Sequence, residues 1–88
     1  MIFANKTNFT SDEIEIEGWL EGKKQVDVFI RGTLGSGTVS LLVKSGDGNF
    51  YSYPNLVWSE AGAYNVAMGT GKYKIDIAGA SDVTVEVI

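Results

Sequence analysis

Apolar and polar residues alternate along most of this chain with a period of two. From Glu13 to Glu17 the order is Glu, Ile, Glu, Ile, Glu. An extended strand sets Ile14 and Ile16 on one face and three glutamates on the other, whereas a helix would scatter both sets. Gly18-Trp19-Leu20 prolongs this segment, and Glu21-Gly22-Lys23-Lys24 reads as a turn. A second strand is expected over Gln25–Arg31, with Val26, Val28 and Ile30 inward and Asp27, Phe29 and Arg31 outward.

Gly32–Gly37 is a connection, followed by a strand over Thr38–Lys44 that faces Val39, Leu41 and Val43 one way. Ser45-Gly46-Asp47-Gly48 is a tight-turn signal, because Gly tolerates positive φ. Phe50–Tyr53 is aromatic and strand-like. Pro54 cannot donate to a ladder, so it ends that strand or lies on an edge. Short strands are expected over Leu56–Trp58 and Ala63–Met68, then over Lys72–Ala78 with Tyr73, Ile75 and Ile77 inward. Val83, Val85 and Val87 close the chain, with Thr84 and Glu86 opposite.

These segments make about seven or eight strands and no helix. The 11 glycines fall mostly in the turns, spaced about every ten residues, which is the rhythm of a sandwich or small barrel. Aliphatic faces on so many strands require a second layer to cover them. The expected fold is therefore all-β, a small antiparallel β-sandwich with immunoglobulin-like or jelly-roll connectivity. Residues 12–88 form its single domain. Residues 1–11 mix Ile2, Phe3 and Phe9 with polar residues and read as a first strand or an arm reaching a neighbouring subunit.

Composition narrows the chemistry. The chain has 88 residues, 44% hydrophobic and 20% charged, enough apolar content for a folded core. Without Cys it can hold no disulfide, thiol nucleophile or Fe–S cluster, and without His it lacks the commonest general base and transition-metal ligand. No apolar run is long enough for a membrane helix or a signal-peptide core, so no membrane association is expected. The net charge of −4 argues against nucleic acid as a partner, because phosphate binding needs a basic field.

Several motifs dissolve on inspection. Gly32–Gly37 has the four-residue gap of a phosphate loop, but Thr38 stands where Lys is needed and no helix follows. Ser45–Asn49 offers one carboxylate, Asp47, where a calcium loop needs several oxygen ligands. The triplets starting at Asn5 and Asn8 fit the glycosylation pattern by chance. An enzyme would need two carboxylates lining one cleft, for which Asp47 and Glu60 are the pair considered. The expectation is no enzyme, no cofactor and no metal.

The aromatics are the candidate contact residues. Trp19 shares parity with Glu15 and Glu17, Tyr51 and Tyr53 share one side of their strand, and Trp58 lies close in sequence. Such rings stack on sugars in carbohydrate-binding modules, or they fill the sandwich or a subunit contact, where large aromatics bury much area. Gly18 could form a bulge that turns Trp19 inward. With Phe3 and Phe9 these make six expected interface or ligand positions.

Five short segments carry a likeness to known proteins: Gly37-Thr38-Val39-Ser40-Leu41-Leu42-Val43, Ser45-Gly46-Asp47-Gly48, Ala61-Gly62, Gly71-Lys72-Tyr73-Lys74-Ile75 and Ile77-Ala78-Gly79-Ala80, ahead of a closing valine strand. This stretch, Gly32 to Ile88, resembles small β-sandwich virion proteins of tailed bacteriophages, of the head-decoration or cement type. The resemblance implies a non-enzymatic protein that braces capsid subunits or another virion protein, often as a trimer, after synthesis in the host bacterial cytoplasm. The rival expectation is a carbohydrate-binding module or a fragment of a receptor-binding tail protein.

Overall fold

A computed structural model of the chain describes residues 1–16, 23–69 and 71–88, with the side chains of Lys23 and Lys24 left aside. The expected strand extension at Gly18–Leu20, with Trp19, and the start of the turn at Glu21 lie outside the described residues. Among the described residues nine strands are formed: β1 (Ile2–Lys6), β2 (Phe9–Thr10), β3 (Ile14–Ile16), β4 (Lys23–Arg31), β5 (Thr38–Lys44), β6 (Phe50–Trp58), β7 (Gly62–Gly69), β8 (Gly71–Ala78) and β9 (Val83–Val87). Every pairing is antiparallel.

Two sheets result. One runs β1-β9-β4-β7, and the other β2-β8-β5-β6 with β3 also paired along β8. Apart from the β5–β6 hairpin, and the step from β2 to β3 along one edge of β8, successive strands lie in different sheets. That pairing order is a jelly roll, and it resolves the choice that periodicity left open.

The inward faces are those expected from the alternation. Val28, Val39, Leu41, Ile75, Val83 and Val85 have no exposed surface. Each aliphatic side chain of this size contributes about 1.5–3 kcal/mol by leaving water. Val28 and Val85 come from the first sheet and Leu41 and Ile75 from the second, so the core is the seam between them.

Residues 1–11 belong to this sandwich. β1 pairs with β9 in the first sheet, and β2 with β8 in the second, so the segment crosses from one layer to the other. Asn5 and Asn8 make the crossing with φ of 52° and 44°, a region that Asn tolerates better than most residues. The crossing is fastened to the β8–β9 turn. The Gly79 amide donates to Asn8 Oδ1 at 2.8 Å, and the Asp82 amide to Thr7 Oγ1 at 3.1 Å.

Pro54 does not end its strand. β6 continues through it to Trp58 as the edge of the second sheet, the alternative position for a residue without an amide hydrogen. Opposite β5, Ser52 faces Leu42 and Val57 faces Ser40, so Tyr53–Leu56 bulge against Leu41 alone.

Candidate functional site

Among the described residues, the β5–β6 hairpin presents the most exposed aromatics. Gly48, with φ of 90°, closes the turn, and its amide donates to the Ser45 carbonyl at 3.0 Å. Asp47 has both carboxylate oxygens engaged, one by the Asn49 amide at 2.9 Å and the other by the Tyr51 hydroxyl at 2.7 Å. The Tyr51 hydrogen bond, followed by the Asn49 amide, holds the Asp47 carboxyl below its ordinary range. Asp47 is thus a turn former, and no group of three acidic residues stands near it or elsewhere among the described residues.

Tyr51 and Tyr53 are 49% and 54% exposed, and Val57 on the same strand is 36% exposed. Tyr53 stands in the bulge, where β6 departs from regular pleating. Burial pushes the Tyr73 phenol up, and the neighbouring Tyr53 adds to this. The Tyr73 hydroxyl donates to the Gly69 carbonyl at 2.7 Å.

The other candidate aromatics turn away from solvent. Trp58 is buried and stacks on Tyr64, ring centroids 5.3 Å apart and planes 28° apart. Phe3 and Phe9 meet at 5.8 Å and pack on the core, with Lys6 Nζ 4.6 Å from the centre of the Phe9 ring. They join β1 to β2 across the two layers of their own chain. Of the six expected contact positions, Tyr51 and Tyr53 form an exposed pair, three are packed inward, and Trp19 lies outside the described residues.

A second surface feature lies on the outer side of β5 and β8. Glu13 accepts from Lys44 Nζ at 3.0 Å and lies 3.8 Å from Lys72 Nζ. The Lys44 hydrogen bond is the main reason its carboxyl stays below the ordinary range. Lys74 Nζ sits 4.6 Å from the centre of the Phe50 ring. Alternation places Lys72 outward but does not reveal that Glu13, between β2 and β3, comes to lie beside it and Lys44.

Asp47 and Glu60 flank β6 at its two ends, in the turns before Phe50 and after Trp58. A nine-residue strand spans roughly 25–30 Å. The two carboxylates therefore do not share a cleft. The described residues enclose no pocket. Comparison with protein-family models, curated proteins and solved structures finds no match.

Proposed function

We propose that this chain is a non-enzymatic structural protein of a tailed-phage virion, decorating or bracing the shell through protein–protein contacts. The observation that carries the reading is apolar surface of a particular kind. Tyr51, Tyr53 and Val57 stand exposed along one edge strand of a sandwich whose interior is filled. Tyrosines of this sort give a contact large area at small entropic cost, and their hydroxyls remain hydrated or bonded at the rim. The resemblance of residues 32–88 to head-decoration proteins supports the choice of partner, and excess negative charge suits a protein that works beside packaged DNA without binding it.

The test is co-sedimentation with shells assembled without this chain, from the phage that encodes it. The chain pellets with the shells, and replacing Tyr51 and Tyr53 by Ala weakens that association. A chain that stays in the supernatant with every shell preparation overturns the reading.

A second reading rests on the same pair. Two half-exposed tyrosines on one strand are also what a sugar-stacking platform presents. Trp58, packed against Tyr64, takes no part in it. A glycan array separates the two readings, because sugar binding lost on Tyr53→Ala would favour the platform over the protein contact.

A further inference from the structure

Of the outermost strands, one differs from the rest. β1 carries Lys6 and a break in its register with β9. The β2–β3 edge is interrupted between Thr10 and Ile14 and bears Glu15. β6 bulges at Tyr53–Leu56 and contains Pro54. Charges, bulges, interruptions and prolines are the devices that keep an open edge from pairing with another chain. β7 has none of them. Its sequence, Gly-Ala-Tyr-Asn-Val-Ala-Met-Gly, is uncharged, and it pairs with β4 without a shift over its full length.

The direction of its free backbone groups follows from the neighbouring ladder. Asp27 exchanges two hydrogen bonds with Ile88, each of 2.9 Å, so the Asp27 amide and carbonyl point toward β9. Its partner on β7 is Asn65. In an antiparallel ladder such a pair is the non-bonded kind, so the Asn65 amide and carbonyl point away from β4. By alternation the same holds for Ala63 and Ala67. These three residues are exposed, and β7 has no second strand partner among the described residues.

We infer that β7 pairs antiparallel with β7 of a second copy of this chain, about a two-fold axis at Asn65. The strand is self-complementary in that register. Asn65 opposes the Asn65 of the other copy, and Ala63 opposes Ala67. Each of these is a pair that exchanges both backbone hydrogen bonds. The side chains meeting on the outer face are small and neutral. On the inner face Tyr64 of one copy meets Val66 of the other, and both are only partly buried against their own core. Pairing covers them and fuses two four-stranded sheets into one of eight. A symmetric contact of this kind is self-limiting. The inference rests on the strand edge alone and is independent of the virion reading.

Sedimentation equilibrium of the full chain tests it. The average mass rises with concentration toward twice the monomer. Ala63→Lys with Ala67→Lys sets like charges opposite each other at both 63–67 pairs and weakens association about tenfold or more. Ala63→Lys with Ala67→Glu sets opposite charges at the same pairs and restores it. Asn65→Pro removes a main-chain amide that bonds nothing within the monomer, along with one exposed side-chain hydrogen bond to Asp27 Oδ1 at 2.8 Å, and it yields a folded monomer by circular dichroism. A wild type that remains monomeric up to millimolar concentration overturns the inference. So does a Lys–Lys variant that dimerises like wild type, or a Lys–Glu variant that fails to recover.

Discussion

Ser11 and Ile75 exchange two hydrogen bonds where β2 gives way to β3. The Ser11 amide donates to the Ile75 carbonyl at 2.8 Å, and the Ile75 amide donates to Ser11 Oγ at 2.9 Å. The serine hydroxyl then donates to the Asp12 carbonyl at 2.8 Å. A side-chain oxygen thus stands in for the backbone carbonyl that an unbroken edge strand would offer, and the interruption of the edge leaves the Ile75 amide satisfied.

Ser11→Ala removes that acceptor while the Ile75 amide stays buried. An unsatisfied buried donor costs about 1–3 kcal/mol. Urea denaturation should show a loss in that range with an unchanged slope. A loss below about 0.5 kcal/mol would show that water reaches the amide when the hydroxyl is gone.

Gly37 is held to glycine by contact rather than by its own backbone angles. A Cβ there would lie 2.5 Å from the Gly79 carbonyl carbon and 2.7 Å from the Ala78 carbonyl oxygen, both main-chain atoms. Gly37→Ala must push the β8–β9 turn away from the start of β5, and should cost about 3 kcal/mol. Gly46→Ala, where nothing lies within 4 Å, serves as control and should change stability by no more than about 0.5 kcal/mol. Equal losses in the two variants would contradict this account.

How far the structure could be read from the sequence depends on what alternation encodes. It states which side of a strand a residue occupies, and Val26, Val28, Ile30, Tyr73, Ile75 and Ile77 all face as it requires. It does not state whether the opposite layer reaches that residue. Tyr51 and Trp58 both belong to β6, yet among the described residues only Trp58 has a ring of the other sheet, Tyr64, over it. Nor does it encode the bulge that lets β6 pass through Pro54, because that depends on the register with β5. The role of Ser11 carried no pattern at all, since its partner lies 64 residues away. Connectivity stayed open between two sandwiches for the same reason. Both topologies have the same alternation, and only the long-range pairing of β1 with β9 and β4 with β7 distinguishes them.

Acid should weaken the β5–β6 hairpin and the tie from Glu13 to Lys44. Asp47 and Glu13 both have folded values below their ordinary 3.8 and 4.5. A depressed carboxyl binds its proton less readily when folded than when unfolded. Its contribution is complete above the ordinary value, and is lost as pH falls through that value toward the folded one. Tm should therefore be flat above about pH 5 on their account and decline below it. Asp47→Asn should lower Tm at neutral pH and make the acid decline shallower. Because both groups are exposed, salt should reduce the Glu13 part of the effect. A variant whose acid decline matches wild type would remove Asp47 from the explanation.

Trp58 and Tyr53 should separate stability from recognition. Trp58 is buried and stacked, so Trp58→Ala should cost about 3–5 kcal/mol, close to the whole stability of a domain this small. Tyr53 stands more than half exposed, and Tyr53→Ala should stay within about 0.5 kcal/mol of wild type in urea denaturation. Binding to the partner surface should respond in the other order. Tyr53→Ala loses affinity while remaining folded, because a ring already in water contributes to a contact and little to the core. A Tyr53→Ala variant that binds shells or glycans as well as wild type would move the contact surface elsewhere on the sandwich. A Trp58→Ala variant as stable as wild type would mean that the space between β6 and β7 closes without the ring.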